Sequence, residues 1–181
     1  MTDLQTKETI SIAGNQTHIT GCVVNLFAFL TVVDEFEAGR ADPTTVDSLI
    51  ANGINRSQPP AVRSFLAAVF GDYESGLVRS QEFTAPLGLE ETVFDHVPYY
   101  GGENPPPNLT TALDLNFVLT RLWQGDIFSP EWTAYALGVL GNGAAYLDVV
   151  LPAQLPESAH FAHKVGWFSD ATGWVENDVG I

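Results

Sequence analysis

The chain has 181 residues, 45% hydrophobic and 11% aromatic, with 22 acids against 7 bases and a formal charge of -15 at pH 7. This composition is enough to bury the core of one domain and excludes a disordered chain. The acidic balance repels phosphate backbones and anionic lipid, which excludes nucleic acid and acidic membrane surfaces as partners.

Charged residues are only 16% of the chain, so the acidity comes from scarce bases and reads as a solvated acidic surface. The lone cysteine, Cys22, excludes an intrachain disulfide. Such usage is expected in a reducing compartment such as the cytoplasm, which nothing else in the sequence marks. The opening "MTDLQTKETI" has no apolar core and does not read as a signal peptide. Three N-x-[ST] sequons, at Asn15, Asn55 and Asn108, are expected to be chance.

In chain order, "ETISIAG" alternates apolar and polar residues, which predicts a strand ending at Gly14. "CVVNLFAFLTVV", residues 22 to 33, is the most apolar run. It falls short of the roughly 20 residues a bilayer requires, so it predicts a buried helix over about 22 to 38 and no membrane insertion. Asp34, Glu35 and Glu37 crowd the end of that helix, against its dipole, so burial must hold it. "ADPTTVDSLIANGINRSQ" reads as loop and short turns. "PPAVRSFLAAVFGD" predicts a helix with Pro60 at its first position, an apolar stripe of Val62, Phe65, Leu66 and Val69, and Gly71 closing it.

Residues 86 to 110 are rich in Gly and Pro, and their aromatics (Phe94, Tyr99, Tyr100) indicate a long packed loop. In "TTALDLNFVLTRLWQG", Thr111 and Asp114 form a capping box, and Leu115, Val118, Leu119 and Leu122 a stripe. "SPEWTAYALGVLG" predicts another helix, with Ser129 as cap and Pro130 at its first position. Two strand-like runs close the chain, "HFAHKVGWF" and "GWVENDVGI". This order predicts an α+β fold with helices packed on an antiparallel sheet. His160 and His163 are three apart, a spacing that suits a metal only in a helix. In a strand they face opposite ways, so no metal or cofactor is expected and His163 reads as structural.

A late strand with "HKVG", followed by one reading "NDVGI", resembles the serine β-lactamase and penicillin-recognising hydrolase family. In that family a K-T-G or K-S-G strand precedes one reading N-D-x-G. "GCVVNLFAFLTVVDEFEAGR" is similar to the family's nucleophile helix, and "SQPPAVRSFLAAVFG" to the helix after its S-D-N loop. "LGLEETVF" is similar to its L-G-L-x-x-T turn, and "NLTTALDLNFVLTRLWQGDIFSPE" to its TT-x-x-D helix and the next. The resemblance runs over roughly residues 8 to 181 and implies a single domain of β-lactamase-like fold. It also implies a missing leading strand, and a missing strand and helix at the end. A protein partner or a second copy would then complete the sheet.

The family's chemistry uses a serine nucleophile with a lysine three residues on, one helical turn away, to take its proton. The matching positions here hold Cys22 and Asn25, and no lysine occurs between Lys7 and Lys164. Ser57, Gln58 and Pro59 stand at the S-D-N loop, so the serine is kept and the asparagine is not. The E-x-x-L-N deacylation motif is absent, and Glu103 in "GGENPPPN" has no assignable role. Lys164, Val165 and Gly166 occupy the K-T-G motif, which implies an anchor for a small carboxylate-bearing ligand; the plain alternative is a strand lysine with its head in solvent. Cys22 reads either as a small buried thiol or as a nucleophile that a cation would have to activate.

Two functions follow. One is a catalytically degraded homologue serving as a binding or structural subunit. The other is an active amide or ester hydrolase, or acyl transferase, with Cys22 as nucleophile. A third reading, an unrelated α+β interaction domain, would separate Lys164 from Cys22.

Overall fold

The apolar run folds as a 3-10 turn, Gly21–Val24, leading into helix α1, Asn25–Glu37, and residues 21 to 33 are buried without a break. A helix apolar on every side needs neighbours on every side. They are α3 (Pro59–Phe70), α4 (Tyr73–Thr84) and α6 (Pro130–Leu140). Aromatic rings tie α1 to these surroundings. Phe36 lies 5.9 Å from the Trp132 ring and 6.1 Å from Tyr135, and Phe27 lies 6.3 Å from Phe94. The computed structural model describes residues 1–98, 106–156, 158–170 and 173–181. Tyr99, Tyr100 and Glu103 lie outside the described residues.

The three acids at the end of α1 are not left against the helix dipole. Arg79 of α4 reaches Asp34 at 2.6 Å and Glu35 at 3.0 Å; Arg40 reaches Glu35 at 2.5 Å and Asp34 at 3.2 Å. The Ser129 backbone N–H donates to the Glu37 carboxylate at 2.7 Å. Ser129 itself makes no side-chain cap, so Glu37 receives the donor at the start of α6 in place of the expected serine cap. The expectation that burial alone holds α1 is therefore incomplete, because ion pairs and a borrowed cap neutralise its C-terminal end.

Three further elements differ from the sequence reading. The expected loop at 41 to 58 contains helix α2, Asp47–Ile50, continued by a π-helical turn, Ala51–Asn55. Val46, Ile50 and Ile54, four apart, supply the buried stripe that the surrounding Asp, Thr, Ser and Asn obscure. Helix α4 shows almost no apolar stripe because it meets its neighbours through Gly76 and Ser80 as well as Phe83. A Cβ at Gly76 would come within 2.8 Å of Leu66 Cβ, so a small residue is what lets α4 approach α3. The strand expected over "ETISIAG" does not form. Ile10 and Ile12 are 73% and 91% exposed, because no strand receives that segment beyond a single bridge between Thr2 and Thr9. Instead β1, Thr17–Ile19, pairs antiparallel with β2, Leu109–Thr111.

Residues 86 to 110 form a packed loop where they are described. Phe94 and Val97 are buried, and the Asn108 side chain accepts from Asp95 N–H and donates to the His96 carbonyl. Helix α5, Ala112–Gln124, starts on the Thr111 cap, its hydroxyl accepting from Asp114 N–H at 3.1 Å, while the Asp114 carboxylate accepts from Glu91 N–H and the Thr92 hydroxyl instead of closing a capping box. Strands β3, His163–Asp170, and β4, Gly173–Gly180, form an antiparallel ribbon in which Lys164 faces Val179 and Gly166 faces Asn177. The architecture is α+β, with helices against small antiparallel sheets. No helix among the described residues is long and apolar enough to cross a membrane.

Arg40, aided by Arg79 and opposed by burial, holds the Glu35 carboxyl below its ordinary range. Replacing Arg79 (Arg79→Met) leaves a largely buried carboxylate short of a partner. The urea midpoint at pH 7 should fall by the equivalent of about 1–3 kcal/mol. The depressed carboxyl contributes stability above its ordinary value of 4.5, lost as pH falls below that, so the gap between variant and parent should close under acid.

Candidate functional site

The site is built where β3 crosses the head of α1. Gly166 lies so close to the turn before α1 that a Cβ there would stand 2.4 Å from Val23 N, 2.5 Å from Thr20 O and 2.7 Å from Cys22 N. Gly21 answers from the other side: its φ is +51, and a Cβ would meet the Gly166 carbonyl carbon and the Trp167 backbone at 3.0 Å. Only glycine suits both a left-handed φ and backbone at this range. Asn177 of β4 completes the join, its amide donating to the Ile19 carbonyl at 2.8 Å and the Thr20 carbonyl at 3.3 Å.

This crossing brings Cys22, Ser57, Lys164 and Gly166 together. Cys22 is wholly buried, so of its two readings the small buried thiol describes its setting. Lys164 is 2% exposed, which corrects the alternative of a lysine with its head in solvent. Strand alternation turns Lys164 and Gly166 inward to α1, and a short, well-placed pair of acceptors holds the ammonium there. Its Nζ donates to Ser57 Oγ at 2.6 Å and to the Val165 carbonyl at 2.7 Å. The Ser57 hydroxyl also reaches that carbonyl at 3.3 Å. Ser57 is a non-glycine residue at φ 53, just before Pro59 opens α3.

Burial pushes the Lys164 amine down to about 8, with the Cys22 and Asp178 charges opposing. The amine is thus cationic at neutral pH with a usable neutral fraction, which an exposed lysine lacks. Asn25, at the place where the resemblance puts a lysine, is wholly buried, and neither its amide nitrogen nor its oxygen has a hydrogen-bond partner among the described residues. It offers neither a base nor a charge.

The opposite face of the ribbon carries a pair the sequence reading left unassigned. His163 Nδ1 stands 2.8 Å from an Asp178 oxygen, and its Nε2 3.3 Å from Asp148. The Leu151 N–H donates to the other Asp178 oxygen at 3.0 Å. These contacts fasten the segment before β3 onto the ribbon and fit a structural His163. His160 is exposed. Asn177 and Asp178 were both visible in "NDVGI"; adjacent residues of a strand face opposite ways, which sends one to the α1 head and the other to His163.

A lysine-glycine strand thus lies across the head of a buried helix, with the Ser57 hydroxyl held by Lys164 and the Val165 carbonyl of that strand. The beta-lactamase enzyme family matches residues 72–181, and the chain belongs to that family. Among solved structures, a β-lactamase from Chitinophaga pinensis is 15% identical with a TM-score of 0.78, over 99% of this chain and 76% of that one. An ancestral class A β-lactamase is 20% identical with a TM-score of 0.79, over 99% and 76%. A β-lactamase from Sphaerobacter thermophilus is 18% identical with a TM-score of 0.75, over 97% and 73%. Identities this low establish the shared fold alone. No curated protein matches the chain.

The buried amine carries a thermodynamic signature. The folded protein releases the Lys164 proton near pH 8, the unfolded chain only near 10.5. Between those values the unfolded state binds more protons, so stability rises with pH across the window, by up to about 3 kcal/mol. Urea unfolding of the parent and of Lys164→Met at pH 7 and pH 10 should show the parent gaining on the variant at the higher pH. A constant difference would mean that Lys164 is solvated.

Proposed function

We propose that the chain is a degraded member of the β-lactamase family, without the family's acylation chemistry, that serves as a binding or structural subunit. The observation that carries this reading is Asn25: a buried amide with no hydrogen-bond partner among the described residues stands one turn beyond Cys22, where the chemistry requires a proton acceptor. Cys22 supports it, because a thiol with no exposed surface cannot meet a carbonyl carbon without local opening. Lys164, with Val165 and Gly166, is the proposed anchor for a small carboxylate-bearing ligand, a role in which the ammonium would exchange its internal acceptors for a charged one. A protein partner or a second copy is the proposed occupant of the outer edge of β4, a strand paired on its β3 side among the described residues.

One observation favours the rival reading, in which Cys22 is the nucleophile: the Lys164 amine interacts electrostatically with Cys22. A nearby ammonium stabilises a thiolate. Incubation with a fluorescent penicillin, followed by adduct mapping, separates the two. No covalent label is expected. Label on Cys22 that disappears in Cys22→Ala would overturn the degraded reading and establish the rival.

A further inference from the structure

We propose that Ser57 and Lys164 form a serine–lysine pair that accepts acyl groups from uncharged, activated carboxylic esters. The inference goes beyond the binding role above and does not depend on it. Its basis is the geometry around one hydrogen bond. Lys164 Nζ lies 2.6 Å from Ser57 Oγ, the separation a base needs from the proton it removes. The amine is buried and the serine only half-buried, so the hydroxyl is the outward end of the pair. Ser57 keeps a positive φ of 53 with a full side chain, a strained conformation of the kind that gathers at functional sites.

The charged and titratable groups facing the amine are few. Cys22 lies toward it from the turn before α1, while Asp178, on the other face of the ribbon, acts on it only through space, its oxygens engaged by His163 and the Leu151 N–H. With the Lys164 pKa near 8, roughly a tenth of the molecules hold a neutral amine at pH 7.

In the step, neutral Lys164 Nζ takes the Ser57 hydroxyl proton as Oγ bonds to the ester carbonyl carbon. The tetrahedral species collapses, the bond from carbon to the leaving oxygen breaks, and its electron pair leaves as phenolate. The proton stays on Lys164 and then passes to solvent. A carboxylate on the donor would hold Lys164 in its charged form and so remove the base. The pair therefore favours uncharged donors, the opposite of what a carboxylate anchor favours. Among the described residues, the printed partners of the Ser57 hydroxyl are Lys164 and the Val165 carbonyl, neither a carboxylate nor an imidazole that would activate a water, so the acyl group should accumulate on the chain.

The test uses p-nitrophenyl acetate, with p-nitrophenyl hemisuccinate as its carboxylate-bearing counterpart, read by phenolate release and peptide mapping. Expected are an acetyl group on Ser57, a rate rising with pH to a plateau above about 8, and slower labelling by the hemisuccinate. Ser57→Gly removes the hydroxyl and suits the positive φ, so it should fold and lose the label. Lys164→Arg, which keeps the charge but cannot act as base, should cut the rate about a hundredfold or more. Absence of acetyl on Ser57, faster labelling by the hemisuccinate, or an unchanged rate in Lys164→Arg would overturn the proposal. Label on Cys22 alone would overturn both this inference and the degraded reading.

Discussion

Two glycines, Gly21 and Gly166, let the backbone of β3 lie directly on the backbone that opens α1. Everything at the site follows from that crossing. It fixes which face of β3 is inward, and so turns Lys164 toward Ser57 and the Cys22 turn. It also leaves no gap above Cys22, which is why the thiol has no exposed surface. The amide of Asn177 and the carbonyls of Ile19 and Thr20 hold the crossing from the β4 side. On the outer face, His163 and Asp178 keep the ribbon attached to the segment that precedes it.

Within that frame the resemblance sets Cys22 and Asn25 against the family's serine and lysine, and Val165 against the middle residue of its K-T-G strand. A serine and a lysine in the family's places would form a nucleophile with its own base. A thiol and an amide there are compatible with the same packing but cannot pass a proton between them. The site carries an energetic cost: a buried amide without hydrogen-bond partners among the described residues and a buried amine whose charge is penalised. Proteins retain such features where a site once needed, or still needs, polar groups in a dry environment. The same crossing that buries the thiol buries the lysine and lowers its amine below the ordinary range.

Much of this was legible in the sequence because burial writes periodic patterns. Helices α1, α3, α5 and α6 announce themselves by apolar stripes, glycine stops and the Thr111 cap, and the β3–β4 ribbon by its motifs. Helix α4 was not legible, since its contact surface includes Gly76 and Ser80, which carry no hydrophobic signal. Residues 8 to 14 misled for the opposite reason: alternation is only a request for a neighbouring strand, and none receives Ile10 and Ile12. At the site, the loss of the lysine base could be read from letters alone, because no lysine lies between Lys7 and Lys164. The burial of Lys164 could not, since a lysine-glycine motif does not say which way a strand turns. The partnership of His163 with Asp178 also needed the register of β3 on β4.

The most direct measurement of the crossing is the rate at which iodoacetamide alkylates Cys22 in the native protein and in Gly166→Ala. A methyl group at position 166 would meet backbone atoms at 2.4 to 2.7 Å, so the ribbon must lift from the α1 head. Native Cys22 should label only through opening, far more slowly than in denaturant, and Gly166→Ala should label faster by the factor through which it eases that opening. Rapid alkylation of the native thiol at neutral pH, unaffected by Gly166→Ala, would contradict the sealed crossing and the degraded site built on it.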